Sequence, residues 1–176
     1  MTASGIAATM DDSNKRFFVA MNPRLAKFAL NLWPPFLGAG VKVRRISPDW
    51  KEIDVQLRLG LTNRNYVGVH FGGSLYAMTD PFYMLMLLKN LGKDYIVWDK
   101  AGSIDYLKPG RGVVCARFRI DDELLQSVRD ATAGGDKHLP ALSVSVYDAE
   151  GAEVARISKT LYIRRKPPRS SRQATG

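Results

Sequence analysis

The chain has 176 residues, 45% hydrophobic and 24% charged, with a formal charge of +9 and a pI near 9.8. That balance suits one soluble globular domain with a sizeable core. The single cysteine, Cys115, excludes an intramolecular disulfide framework and a cysteine-rich metal site, and points to a reducing compartment.

The start, "MTASGIAATMDDSNK", has no basic region, and Asp11 and Asp12 cut its weak apolar run short. No secretory signal is expected, and residues 1–13 read as a disordered N-terminus. From Asn14 to Leu32 the pattern predicts one or two short helices around Asn22-Pro23, with Leu25, Phe28, Ala29 and Leu32 at helical spacing. "WPPFLGAG" then breaks the helix, and Trp33 and Phe36 anchor it to the core.

From Val41 the period changes to two. "VKVRRI" and "EIDVQLRL" predict two strands joined at Ser47-Pro48-Asp49. A polar turn from Asn63 follows. Next comes one long apolar helix, which Asp80 and Pro81 interrupt, short of a bilayer span. Pro81 removes a backbone donor and biases Asp80 away from helical geometry, so a kink or restart is expected there. "DYIVWDKAGSIDYL" and "VVCARFRI" predict a hairpin turning at "KPGRG". "DDELLQSVRDATAGG" has helix start and stop signals, and "LPALSVSVYDAEG" with "EVARISKTLYIRR" predicts a last hairpin at Asp148–Gly151. The basic run "RRKPPRSSRQATG" carries Arg164, Arg165, Lys166, Arg169 and Arg172 without an acid. It is expected to form a disordered tail, 165–176, beyond a single domain of residues 14–164.

Hairpins predominate and one helix is apolar nearly all round, so it must be surrounded. The expected class is α+β: a curved antiparallel sheet wrapped around a central helix, with N-terminal helices in front. A sheet of that kind has edges, so dimerisation is expected.

The lone carboxylate of Asp80 has two readings on residue type and spacing. It is a functional acid on a buried helix, or it caps the helix that restarts after Pro81. Other chemistries have little support. Ser74 lies outside a G-x-S-x-G elbow, and only His70 and His138 could serve a triad. The phosphate-loop lysine is missing after Gly72-Gly73-Ser74. No His, Cys or carboxylate cluster has metal-ligand spacing.

The stretch "NRNYVGVHFGGSLYAMTDPFYMLMLLKNLGKDYIVWDKAGSIDYLKPGRG" resembles the active-site segment of hotdog-fold acyl-CoA thioesterases of the phenylacetate-pathway type. Within that superfamily it closely resembles the uncharacterised DUF4442 branch, from about Asn22 to Arg164. The thioesterase pattern has an asparagine, a glycine three residues later, His-Gly-Gly, and an acid seven residues past the second glycine. Asn65, Gly68, Gly72, Gly73 and Asp80 match it. Phe71 stands where the pattern has histidine, and the histidine is displaced to His70. His70-Phe71 is also similar to the His-Phe-Pro of hotdog dehydratases, but no acid follows Asp80 in "FYMLMLLKN".

The resemblance implies an acyl thioester hydrolase acting as a homodimer, or a dimer of dimers; with neither a signal nor a bilayer span in the sequence, a cytoplasmic location is expected. Asp80 would be general base or nucleophile, facing the Gly72 and Gly73 amides of the other subunit as oxyanion donors. Asn65 would hold the water or thioester. His70, Phe71 and Ser74 would border the substrate. Arg64, Lys108 and Arg111 would receive coenzyme A, which enters as part of the substrate and not as a cofactor. No metal, no specific nucleic acid and no transmembrane segment are expected. The alternatives are a non-catalytic acyl-CoA or lipid-binding module, and an interaction protein using its basic tail.

Overall fold

Alternating apolar residues build a seven-stranded antiparallel sheet whose concave side is filled by helix. In a computed structural model, residues 21–167 are described. The elements are α1 (Pro23–Leu32), α2 (Pro34–Ala39), β1 (Val41–Ile46), β2 (Glu52–Arg58), α3 (Gly72–Ala77), α4 (Phe82–Leu91), β3 (Tyr95–Tyr106), β4 (Val113–Arg119), α5 (Asp122–Ala131), β5 (Lys137–His138), β6 (Ala141–Tyr147) and β7 (Glu153–Arg165). The strand order is β1-β2-β4-β6-β7-β3, with short β5 also on β7.

The β1–β2 and β6–β7 hairpins form as their turn chemistry predicts. The predicted β3–β4 hairpin does not. β3 pairs with β7 at one edge, while β4 lies between β2 and β6. The linking residues 107–112 instead span the end of the sheet. The N–H groups of Leu107 and Lys108 donate to the Val154 carbonyl, and the Gly112 carbonyl accepts from Leu59. Turn residues reverse a chain without choosing the strand beside which it lands.

The predicted long helix arrives in two pieces. α3 ends at Ala77, and α4 restarts after Pro81, following a cis Asp80–Pro81 peptide. α4 buries Phe82, Tyr83, Leu85, Met86, Leu87 and Leu88, which leaves it almost no solvent face. An aromatic chain ties it to the rest: Phe36 packs on Phe82 at 5.7 Å, Phe82 on Phe118 at 5.0 Å, and Tyr83 on Phe118 at 5.1 Å. Burial pushes the Tyr83 phenol up to about 12, and its O–H donates to the Ser143 carbonyl at 2.6 Å.

Asn22 caps α1 by accepting from the Leu25 N–H at 2.8 Å. The helix turns inward on Ala26 and Leu30, whereas Leu25, Phe28, Ala29 and Leu32 face outward. The apolar stripe read from spacing is therefore the outer face of α1. "WPPFLGAG" breaks α1 and immediately starts α2. At the other end, β7 runs through Arg165, which pairs with Tyr95. The basic run expected to be disordered thus begins inside the sheet, while residues 168–176 and 1–20, the expected N-terminal tail included, lie outside the described residues.

Candidate active site

The loop ahead of α3 is held by asparagines. Asn63 is buried; its carbonyl oxygen accepts from the Gly60 N–H at 2.8 Å, and its amide donates to Ala39 and Arg58 carbonyls at 3.0 and 2.9 Å. Asn65 folds the next turn. Its side-chain oxygen accepts from the N–H groups of Val67 and Val69, each at 3.1 Å, and Gly68 takes a φ of 80° inside that turn. The amide expected to hold water or thioester points at the His70 carbonyl, 3.5 Å away.

The loop is stitched at its end. The His70 N–H donates to Gly110, and the Phe71 N–H to Asn63. Phe71 is then the extended N-cap of α3. In the first turn, the Gly72 and Gly73 N–H groups have no acceptor among the described residues. Side chains crowd both glycines: a Cβ at Gly72 would meet the Tyr106 hydroxyl at 2.7 Å, and one at Gly73 the Phe71 ring at 2.4 Å. Tyr66, Val67, Phe71, Tyr106 and Leu107 are all exposed.

His70 is 3% exposed, and neither ring nitrogen has a hydrogen-bond partner among the described residues. Burial holds its pKa below the ordinary value, and the nearby Gly112 backbone offsets only part of this. It is a buried neutral imidazole. Ser74 is also buried, in the first turn of α3.

Asp80 sits in the break between α3 and α4. It does not cap α4: Pro81 occupies the N-cap, and no side chain caps that end. Instead one carboxylate oxygen, Oδ1, takes a hydrogen bond from the Lys159 ammonium. Lys159 reaches Asp99 as well, at 3.5 Å, and lies 4.9 Å from the centre of the Tyr76 ring. The Lys159 side chain is 4% exposed and that of Asp80 is 45%, so the pair runs from the interior to the surface. Burial pushes the ammonium down, but the carboxylates of Asp80 and Asp99 outweigh it and hold Lys159 above its ordinary pKa. Burial also pushes the Asp99 carboxyl up; Lys159 opposes this, and Asp80 adds to it.

Sequence reading missed Lys159 and Asp99. A signal existed: in "EVARISKTLYI", Lys159 falls in phase with Ile157, Leu161 and Ile163, all fully buried.

Within the chain the structure does not bring all the predicted residues together. α3, about 9 Å long at the usual rise, separates the Gly72–Gly73 amides from Asp80. Of the three predicted coenzyme A cations, Lys108 is paired with Asp148 at 2.6 Å, whereas Arg64 and Arg111 are exposed and pair with no acid among the described residues. A surface hollow of about 560 Å³ lies at the β1–β2 turn, lined by Arg45, Asp49 and Arg119 among others, and no predicted site residue borders it.

An antiparallel sheet curled around a central helix defines the hotdog fold. Residues 22–163 match the model of a domain of unknown function, DUF4442, and the chain belongs to that family. Among solved structures it is similar to a Pseudomonas aeruginosa protein of unknown function described as a probable thioesterase, with 17% identity and a TM-score of 0.72, covering 81% of this chain and 95% of that one. A Chlorobaculum tepidum protein of unknown function has 17% identity and a TM-score of 0.65, covering 82% and 98%. A Haemophilus influenzae thioesterase has 13% identity and a TM-score of 0.61, covering 85% and 94%. These likenesses show the fold. No curated protein matches the chain. No helix among the described residues is long and apolar enough to cross a membrane.

Proposed function

We propose that the protein hydrolyses an acyl thioester, with coenzyme A as the carrier, using Asp80 as general base. The observation that carries this reading is the Asp80 carboxylate itself, half-exposed at the helix break and fixed by a buried lysine. An acid that served only to cap α4 would turn to that helix instead.

Water would attack the thioester carbonyl while Asp80 takes its proton. The carbonyl oxygen would gather negative charge, the carbon–sulfur bond would break, and the proton would pass from Asp80 to the leaving thiolate. The Gly72 and Gly73 amides are suited to the oxyanion, because first-turn N–H groups point outward with the positive end of the helix. One such donor in a dry site is typically worth roughly 3–4 kcal/mol.

These amides lie a helix length from Asp80, so the reading includes a homodimer in which each acid faces the other subunit's glycines. The exposed residues around the start of α3, Phe71 and Tyr106 among them, support that arrangement. Arg64 and Arg111 would meet the coenzyme A phosphates.

The test is turnover of a panel of short, long and aromatic acyl-CoAs by wild type and Asp80→Asn. Wild type should turn over at least one member. The variant should lose about 10²–10⁴-fold in kcat, the usual contribution of a positioned base. Saturable binding without any turnover would establish a binding module instead. Equal turnover by the variant would remove Asp80 from the chemistry.

A further inference from the structure

A lysine on the buried face of a strand is costly unless its charge is matched. Lys159 stands on that face of β7 between Ile157 and Leu161. Its partner in register on β3 is Gly102, and the absent side chain there leaves room for the lysine stem and for Tyr76. A Cβ at Gly102 would come within 3.2 Å of Lys159 Cδ and 2.1 Å of the Tyr76 hydroxyl. A β-bulge between Asp99 and Ala101 interrupts the ladder immediately before this point, beside the acid that meets the lysine.

One ammonium faces two carboxylates. A purely structural ion pair needs one of them. The two differ in setting: Asp99 is mostly buried and Asp80 is half-exposed. Lys159 hydrogen-bonds Oδ1 of Asp80, and the Asp99 carboxyl also lies within hydrogen-bond reach of the Asp80 carboxyl; of the two acids, Asp80 is the more open to solvent.

We infer that Lys159, braced by Asp99, is a positioning residue for the proposed hydrolysis: it fixes Asp80 through Oδ1 and holds the half-exposed carboxylate where it can receive the proton of the attacking water. This rests on the thioesterase reading and assigns its supporting parts. When Asp80 takes that proton its charge is lost, and Asp99 keeps the ammonium paired. Lys159 holds all its protons throughout. The proton travels from water to the Asp80 carboxylate and on to the leaving thiolate.

The test is the pH dependence of kcat/KM on the best acyl-CoA, for wild type and three variants. In Lys159→Met the acid limb should move to higher pH, because the carboxylate loses its close opposite charge. Asp99→Asn should move it the opposite way, because the lysine then serves Asp80 alone. If Lys159→Met fails to fold because Asp99 is left unpaired, Lys159→Met/Asp99→Asn removes that penalty and should still move the limb up. A general loss of packing would not give shifts of opposite sign. Turnover with an unmoved limb in a folded lysine variant overturns the positioning role alone. Absence of turnover in wild type overturns the thioesterase reading and this role with it.

Discussion

His70 carries an imidazole inside the protein, with no hydrogen-bond partner for either nitrogen among the described residues. Burial lowers its pKa from 6.5, so the unfolded chain binds the proton more readily than the folded one. Its contribution to stability is fully present above the unfolded value and declines as pH falls below about 6.5, at no more than about 1.4 kcal/mol per pH unit. In His70→Leu that decline should be absent. Urea unfolding of both proteins between pH 7.5 and 5.5 measures it, and a pH-independent difference between them would contradict the assignment. Sequence placed His70 beside the site, but only burial shows that it is held neutral. The same holds for the neighbouring asparagines: both were visible, yet only the hydrogen bonds show Asn65 folding its own turn and Asn63 anchoring the loop to α2 and β2.

At the scale of elements, β3 meets α3 through a missing side chain. Gly102→Ala should destabilise the fold by about 1–3 kcal/mol, the usual range for overpacking, because its methyl collides with the Tyr76 hydroxyl. Tyr76→Phe removes that oxygen, and the nearest remaining atoms lie 3.2–3.3 Å away. The double variant should therefore recover most of the loss; simple additivity in a double-mutant cycle would show that the collision is not the cause. The break between α3 and α4 was legible, since Pro81 forbids an unbroken helix. The placement of β3 was not. Its alternation and the turn at "KPGRG" are local signals, whereas its pairing with β7 joins residues some sixty positions apart. The meeting of Lys159 with Asp99 was illegible for the same reason: the phase of Lys159 in its strand marks it as inward, but only the closed sheet sets the two together under the helix break.

At the scale of the whole molecule, the sheet ends in β3, an edge that no other described strand covers. β3 is 12 residues long, and its half from Lys100 to Tyr106 is almost entirely exposed. A long bare edge is a template for another strand. The expectation is a dimer in sedimentation equilibrium, and Ala101→Asp/Ser103→Asp should convert it to monomer and abolish turnover, since like charges would meet across the seam. A dimer that survives both charges would move the interface elsewhere.

The buried lysine between its two acids has one more consequence, for anyone reshaping this chain. Replacing a buried ionic group with well-packed apolar residues is often neutral or stabilising by about 1–4 kcal/mol. A redesign scored on heat resistance alone would therefore delete Lys159, Asp99 and Asp80 among its first changes. It would yield a sturdier hotdog domain from which the candidate chemistry had been selected away.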